Sequence, residues 1–253
     1  MRIDVVTLFP ELVASVLAYG VTARAARDRR LDLVTWNPRE DAADRHSTVD
    51  DRPYGGGPGM VMAVEPLATT IRRARAATSS AAPVVYLSPQ GRRVAQEEVR
   101  NLAGSERLIL LCGRYEGVDE RLVEQEVDDE ISMGDFVVSG GEIPAMALID
   151  AVARWLPGVL GHEASAAGDS FATGLLDWPH YTRPEVVNGQ AVPAVLASGD
   201  HAAVARWRRK QALGRTWLRR PELLARQTLD AESRGLLREF INEYRGGDRG
   251  DSV

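Results

Sequence analysis

Two observations predict an α/β protein with a mostly parallel sheet flanked by helices, followed by a small, mainly helical domain at the carboxyl end. Strand-like and helix-like apolar runs alternate over the first 150 residues, the pattern that sets parallel strands between covering helices. Near Leu156 the alternation stops, glycines punctuate the chain, and helical patterns return only at 201–213 and 231–244.

Residues 2–9 are an apolar strand-like run. Pro10 suits the first turn of a helix over 11–19, where its missing N–H goes unused. Residues 31–36 read as a strand, and a helix over 65–77 follows a glycine-rich loop. Residues 83–87 form a strand, 93–102 a helix stopped by Gly104, 107–112 a strand and 118–125 a short helix. A strand at 136–139 and an apolar helix at 143–155 complete the alternation. The domains expected are 1–160, a flexible linker at 161–173, a helical domain at 174–246 and a disordered tail at 247–253.

The chain has 253 residues, 44% hydrophobic and 26% charged, enough to bury a substantial core. It opens Met1-Arg2-Ile3-Asp4, without the pattern of a signal peptide, and no apolar run reaches the length of a membrane span. A cytoplasmic protein with no membrane association is expected. One cysteine, Cys112, and four histidines offer no zinc spacing, so no structural metal is expected. No Gly-x-Gly-x-x-Gly follows the first strand, and neither a P-loop nor a Gly-x-Ser-x-Gly elbow occurs.

In a parallel sheet, ligands sit beyond the carboxyl ends of the strands. Three strand ends run into loops rich in glycine, proline and polar residues: Ser88-Pro89-Gln90-Gly91, Gly113-Arg114-Tyr115-Glu116-Gly117 and Ser139-Gly140-Gly141-Glu142-Ile143-Pro144. Each alone is an ordinary connection; together they predict one small-molecule pocket built mainly from backbone. A fourth loop, Asp50-Asp51-Arg52-Pro53-Tyr54-Gly55-Gly56-Gly57-Pro58-Gly59, is dense in glycine. It is either a surface loop of stacked turns or a place where a ligand meets the backbone. Its two aspartates disfavour a phosphate and favour a flat, neutral ligand such as a base.

Charge is unevenly spread. Residues 1–173 carry 18 basic and 26 acidic side chains, a net of −8, while residues 174–253 carry 13 and 10, a net of +3. Arg206, Arg208, Arg209, Lys210, Arg215, Arg219 and Arg220 fall within 201–221, which has no carboxylate. Such a block is either a solvated helix face or a phosphate-binding surface. Trp207 and Trp217 beside it either stack on RNA or pack a small helical core.

The opening Met1-Arg2-Ile3-Asp4-Val5-Val6-Thr7-Leu8-Phe9-Pro10, the glycine loop and Leu87-Ser88-Pro89-Gln90-Gly91 form one set of strings. With them go Leu111-Cys112-Gly113-Arg114-Tyr115-Glu116-Gly117-Val118-Asp119-Glu120-Arg121 and Gly134-Asp135-Phe136-Val137-Val138-Ser139-Gly140-Gly141-Glu142. Asp169-Ser170-Phe171 and Leu175-Leu176-Asp177-Trp178-Pro179-His180-Tyr181-Thr182-Arg183-Pro184 complete the set. From Met1 to about Tyr244 the chain resembles the bacterial tRNA (guanine-N1)-methyltransferases of the TrmD type, in the SPOUT class.

The resemblance implies a deep trefoil knot, S-adenosylmethionine as methyl donor, a tRNA substrate methylated at the guanosine just 3′ of the anticodon, and a homodimer with active sites shared between subunits. The cofactor residues it implies are Tyr86, Leu87, Ser88, Pro89, Gly113, Tyr115, Gly117, Ser132, Met133, Gly134, Asp135, Phe136, Val137, Val138, Gly140, Gly141 and Pro144. Asp169 is implied as the base that accepts the guanine N1 proton, and Arg154 as the cation near O6. Read without the family, these two are a linker carboxylate and a helix-end arginine. Substrate contacts are implied for Asp50, Gly59, Arg114, Glu116 and Ser170; Arg208, Arg209, Arg215 and Arg220 are the cations of the basic block expected to meet tRNA. The family is reported to need magnesium, with Glu116 a participant, but one loop carboxylate defines no site. Met133, Phe136 and Ala166-Ala167-Gly168 depart modestly from the family pattern. Another knotted RNA methyltransferase and a non-enzymatic RNA-binding protein are the alternatives, and a base beside a cofactor pocket argues against the second.

Overall fold

The computed structural model describes residues 1–161 and 164–247. The chain divides into two compact units, Met1–Glu163 and Ala164–Val253.

The first unit is built on five strands: β1 (Arg2–Val6), β2 (Asp32–Trp36), β5 (Val84–Arg93), β6 (Arg107–Cys112) and β7 (Asp129–Ser132). Their order is β2-β1-β6-β5-β7, and every pairing is parallel. The short strands β3 (Asp50–Asp51) and β4 (Val61–Met62) pair as a separate antiparallel ribbon around the glycine loop. The described residues of this unit form six α-helices: α1 (Pro10–Ala14), α2 (Gly20–Arg27), α3 (Val64–Ala76), α4 (Gln96–Ala103), α5 (Glu120–Glu126) and α6 (Glu142–Ala153).

Strand β6 lies at the centre and all six of its residues are buried, so it reads as a continuous apolar run. Alternate side chains leave by opposite faces. Leu110 and Cys112 join Val5, Val85 and Ile131 under Ala25 of α2, Val99 of α4 and Leu148, Ile149 and Val152 of α6. Ile109 and Leu111 join Val6, Val84 and Tyr86 under Leu67 and Ile71 of α3 and Leu122 of α5.

Several elements differ from the sequence reading. The strand expected at 136–139 is absent. Phe136, Val137 and Val138 stand 62%, 81% and 39% exposed in a loop, and the edge strand is β7, four residues upstream. Three successive apolar residues mimic a buried strand, whereas β7 carries two acids. Strand β5 runs on to Arg93 with a register shift between Leu87 and Arg92, so Ser88-Pro89-Gln90-Gly91 is an irregularity inside a strand rather than its end. The helix expected at 11–19 breaks into α1 and a 3-10 turn, Ser15–Leu17, and α2 then starts at Gly20, whose φ is +70°. Nothing in the pattern of α2 predicted it, because alanine and arginine dilute its apolar face.

The second unit contains α7 (Ala164–Gly168), the hairpin β8 (Val186–Val187) and β9 (Gln190–Ala191), then α8 (Ala194–Ala197), α9 (His201–Arg219), α10 (Pro221–Ala225) and α11 (Ala231–Gly247). Asp200 caps α9 by accepting from the Ala202 and Ala203 amides. Leu213, Ala212, Leu175 and Leu236 form its core. Gly214 of α9 lies so close to the Phe240 ring that a Cβ there would overlap it. The expected linker carries one helical turn, α7, with Ala166 buried, and α11 continues through Gly246 and Gly247. The remainder of the expected tail lies outside the described residues.

A buried ion pair ties β1 to β6. Arg107 Nε donates to Asp4 Oδ2 at 2.8 Å, with the two side chains 2% and 0% exposed. Arg107 also donates to the carbonyls of Ala74, Arg75 and Ser80, satisfying the end of α3. Burial opposes charge on Asp4, but hydrogen bonds from Arg2, Trp36 and Arg107 outweigh it and hold the carboxyl below its usual range. A depressed folded-state pKa stabilises the fold above the unfolded value, about 3.9, and that contribution is lost as pH falls through the folded value. Asp4→Asn should cost about 3–5 kcal/mol near neutrality by stranding Arg107, and should flatten the acid limb of stability. Urea melts across a pH 3–7 series measure both.

Candidate active site

Sixteen of the seventeen residues expected at the cofactor line one cavity of about 370 Å³ in the first unit. Tyr86, Leu87, Ser88 and Pro89 come from β5, and Gly113, Tyr115 and Gly117 from the loop after β6. Ser132 comes from β7; Met133, Gly134, Phe136, Val137, Val138, Gly140, Gly141 and Pro144 follow it, ending inside the first turn of α6. Asp135 is the exception. It is absent from the wall, and its carboxylate faces Arg93 at 3.5 Å on the surface.

The wall is drawn tight by glycine. A Cβ on Gly141 would lie 2.7 Å from Cys112 Cα, and one on Gly113 would lie 2.8 Å from Tyr86 Oη. The Gly141 amide donates to the Gly113 carbonyl at 2.9 Å, so the second and third loops are joined backbone to backbone. Beneath them sits Glu142, fully buried, which accepts from Thr7 Oγ1 and from Arg114 Nε, each at 2.8 Å. Arg114 Nη1 also donates to the Ser139 carbonyl at 3.0 Å, and its guanidinium lies 4.5 Å from the centre of the Phe9 ring. Arg114, expected to contact substrate, lines the cavity but spends these groups on a clamp within the protein.

Sequence reasoning missed Glu142 as a site-building residue; its signal was a carboxylate in the first helical turn after two glycines. It also missed Glu120 and Glu130, which line the cavity. Burial raises the Tyr86 phenol pKa, and these two carboxylates add to that rise. Cys112, packed against Gly141, is fully buried, and burial first and Glu142 second raise its thiol pKa well above normal.

The glycine loop is stitched to the second cavity loop. Glu116 N donates to the Met60 carbonyl and Met62 N to the Gly117 carbonyl, both at 2.9 Å. Tyr115, at φ +60°, hydrogen-bonds Asp50; burial first and that carboxylate second raise its phenol pKa. Gly59, at φ +83°, faces the Glu116 side chain, which a Cβ would strike. Asp50 and Gly59 are therefore held beside the cavity by its own loop without lining it, whereas Glu116 does line it. Arg154 caps the carboxyl end of α6.

In the second unit, Asp169 lines a cavity of about 330 Å³ with Asp177, Trp178, Arg208 and Arg209. Ser170 Oγ donates to Asp177 Oδ1 at 2.7 Å. Along α9, Arg206 pairs with Glu239 at 2.6 Å and Lys210 with Glu243 at 2.7 Å; Arg220 pairs with Glu222. Arg209 donates to Ser233 Oγ, and Arg208 stacks 5.0 Å from the Trp178 ring. Among the described residues Arg208, Arg209, Arg215 and Arg219 have no carboxylate within salt-bridge distance. Arg208, Arg215 and Arg219 follow one stripe of the helix, at spacings of seven and four. Trp207 and Trp217 are half-buried against Tyr181 and Tyr244, which favours the packing role. No helix among the described residues is long and apolar enough to cross a membrane.

A family described as tRNA (Guanine-1)-methyltransferase TrmD matches residues 1–226. A tRNA (guanine-N(1)-)-methyltransferase of Halorhodospira halophila (strain DSM 244 / SL1) is 63% identical over 248 residues, 98% of this chain and 94% of the relative. Relatives of the same name from Proteus mirabilis (strain HI4320) and Salmonella newport (strain SL254) are 61% and 60% identical over 244 residues. Each alignment takes in 96% of this chain, with 98% of the first relative and 96% of the second. The chain belongs to the TrmD family of tRNA (guanine-1)-methyltransferases.

Proposed function

We infer that this protein is an S-adenosylmethionine-dependent tRNA (guanine-N1-)-methyltransferase, acting on the guanosine immediately 3′ of the anticodon, tRNA position 37. The observation that carries the reading is the convergence on one cavity of the irregularity within β5 and the loops after β6 and before α6, in a chain of this family. The cavity's volume, about 370 Å³, falls among small-molecule sites, which run from about 300 to 1,000 Å³. Its wall combines glycine backbone and apolar side chains, suited to a flat, neutral adenine, with the charged side chains of Arg114, Glu116, Glu120 and Glu130. Phe136, Val137 and Val138 stand exposed at its edge, apolar surface that a bound cofactor would cover.

Bound S-adenosylmethionine supplies an electrophilic methyl group on a sulfonium. The protein must take the N1 proton and contain the charge left behind. Asp169 accepts that proton, and the Arg154 guanidinium stabilises negative charge gathering at O6. Asp50 and the backbone at Gly59, held by Tyr115 and facing Glu116, read the edges of an unstacked guanine. Arg114 shapes the cavity through Glu142. Glu116 shares the cavity lining with Glu120 and Glu130, but no group of three metal-ligating side chains gathers among the described residues, and no magnesium site is assigned.

The reading includes a trefoil knot formed by the cavity segments, supported by the meeting of the irregularity within β5 with the segments that follow the adjacent strands β6 and β7. It includes a homodimer with shared sites. Phe9, Leu12 and Ile143 are large apolar side chains left exposed on and beside the packed helices α1 and α6, a surface suited to a second copy. It assigns tRNA docking to the helical second unit, supported by the arginine stripe of α9, and a cytoplasmic setting follows from the substrate.

Labelled S-adenosylmethionine should transfer methyl to a tRNA with guanosine at position 37 and not to one with adenosine there; equal transfer to both would refute the target. Replacing Arg208 and Arg215 with glutamine should reduce the log–log salt slope of tRNA binding by roughly 0.7–0.9 for each phosphate no longer neutralised. The Arg206→Gln and Lys210→Gln changes, at cations already paired, should move it less. Filter binding between about 50 and 200 mM salt compares the two pairs.

A further inference from the structure

We propose that Asp177 is a positioning residue that fixes the loop presenting Asp169. The inference rests on the reading of Asp169 as the base, and adds a residue that acts on it from within the second unit.

The segment around Asp169 is not a free linker but a closed loop. Ser170 Oγ donates to Asp177 Oδ1 at 2.7 Å, and the Asp177 amide donates back to Ser170 Oγ at 3.0 Å. The Phe171 amide donates to the Leu175 carbonyl at 2.6 Å, and the Gly174 amide to the Phe171 carbonyl at 3.0 Å. Phe171 takes φ +72° and Gly174 φ +76°, so the chain turns sharply twice between the two aspartates. A bulky residue keeps a positive φ only where its surroundings over-determine it. The closing strand of the loop is anchored in turn: the Leu176 amide donates to Oγ1 of Thr216, which is fully buried in α9.

Asp177 and Asp169 line the same cavity but are suited to different tasks. The remaining oxygen of Asp177, Oδ2, meets His180 Nε2 at 3.1 Å. Burial opposes its charge, but the Ser170 hydroxyl and His180 more than offset that and hold the carboxyl below its usual range. A carboxylate with a partner on each oxygen is a poorer proton acceptor and a good anchor. It fixes Ser170, and Ser170 is the next residue after Asp169. The hydroxyl of Ser170, expected to meet substrate, is committed to that anchor.

A base displaced by an ångström loses about 100-fold in rate without altering what binds. Asp177→Ala should therefore lower kcat by about 100-fold, with KM for tRNA and the Kd for S-adenosylmethionine within about twofold of wild type. Asp177→Asn keeps an acceptor for Ser170 and should recover most of the rate. Ser170→Ala should reproduce the Asp177→Ala loss, and the double variant should be no slower than either single one. Unchanged kcat in Asp177→Ala, a loss seen in KM alone, or losses that multiply in the double variant would each overturn the proposal. If Asp177→Ala fails to fold by circular dichroism, Ser170→Ala and Asp177→Asn carry the test. Asp169→Asn separates the two readings. If that variant turns over normally, Asp169 is not the base; if it is dead while Asp177→Ala is fully active, only the positioning role fails.

Discussion

One buried carboxylate organises the cavity. Glu142 has no exposure to water, and an ion in that position is tolerated only when its hydrogen bonds are satisfied. Thr7 at the end of β1 supplies one and Arg114 of the loop after β6 supplies the other, while the first turn of α6 favours negative charge. The Thr7 hydroxyl oxygen also accepts from the Phe9 amide, and Arg114 reaches on to the Ser139 carbonyl. Three stretches of chain far apart in sequence, at 7–9, 114 and 139–142, thus converge on one side chain. The glycines at 113 and 141 are what allow the backbones above it to close.

The two units solve the same problem differently. In the first, short loops hang from a rigid parallel sheet whose central strand is buried throughout, so cavity precision derives from the core. In the second, Asp169 lies on a loop with few apolar anchors, and polar bonds through Ser170, Asp177 and Thr216 hold it. Hydrogen bonds to a charged group are stronger than neutral ones, which suits a loop held by few apolar contacts.

Much of this was legible in the sequence. Alternating apolar runs gave the parallel sheet, and β6 was located to the residue because a central strand buried on both faces shows no polar alternation. The loops after β6 and before α6 announced themselves by glycine. The edge of the sheet was not legible. Phe136-Val137-Val138 looks like a strand by composition, yet it is exposed, while the real strand carries Asp129 and Glu130. Local pattern cannot separate apolar residues buried by their own chain from apolar residues awaiting a ligand. The roles of Arg114 and Ser170 were equally hidden, since their partners Glu142 and Asp177 lie 28 and 7 residues away and pairing depends on the fold. Asp135 belonged to the expected cofactor string, but a side chain inside a lining segment can still turn outward, as its approach to Arg93 shows.

Glu142 holds together the cavity proposed for S-adenosylmethionine. Calorimetric titration of S-adenosylmethionine into the wild-type protein and Glu142→Gln tests it most directly. The charged bond to Arg114 contributes about 1.5–3 kcal/mol, so the account predicts a Kd raised about tenfold or more in a variant with native circular dichroism. An unchanged Kd in that folded variant would contradict it.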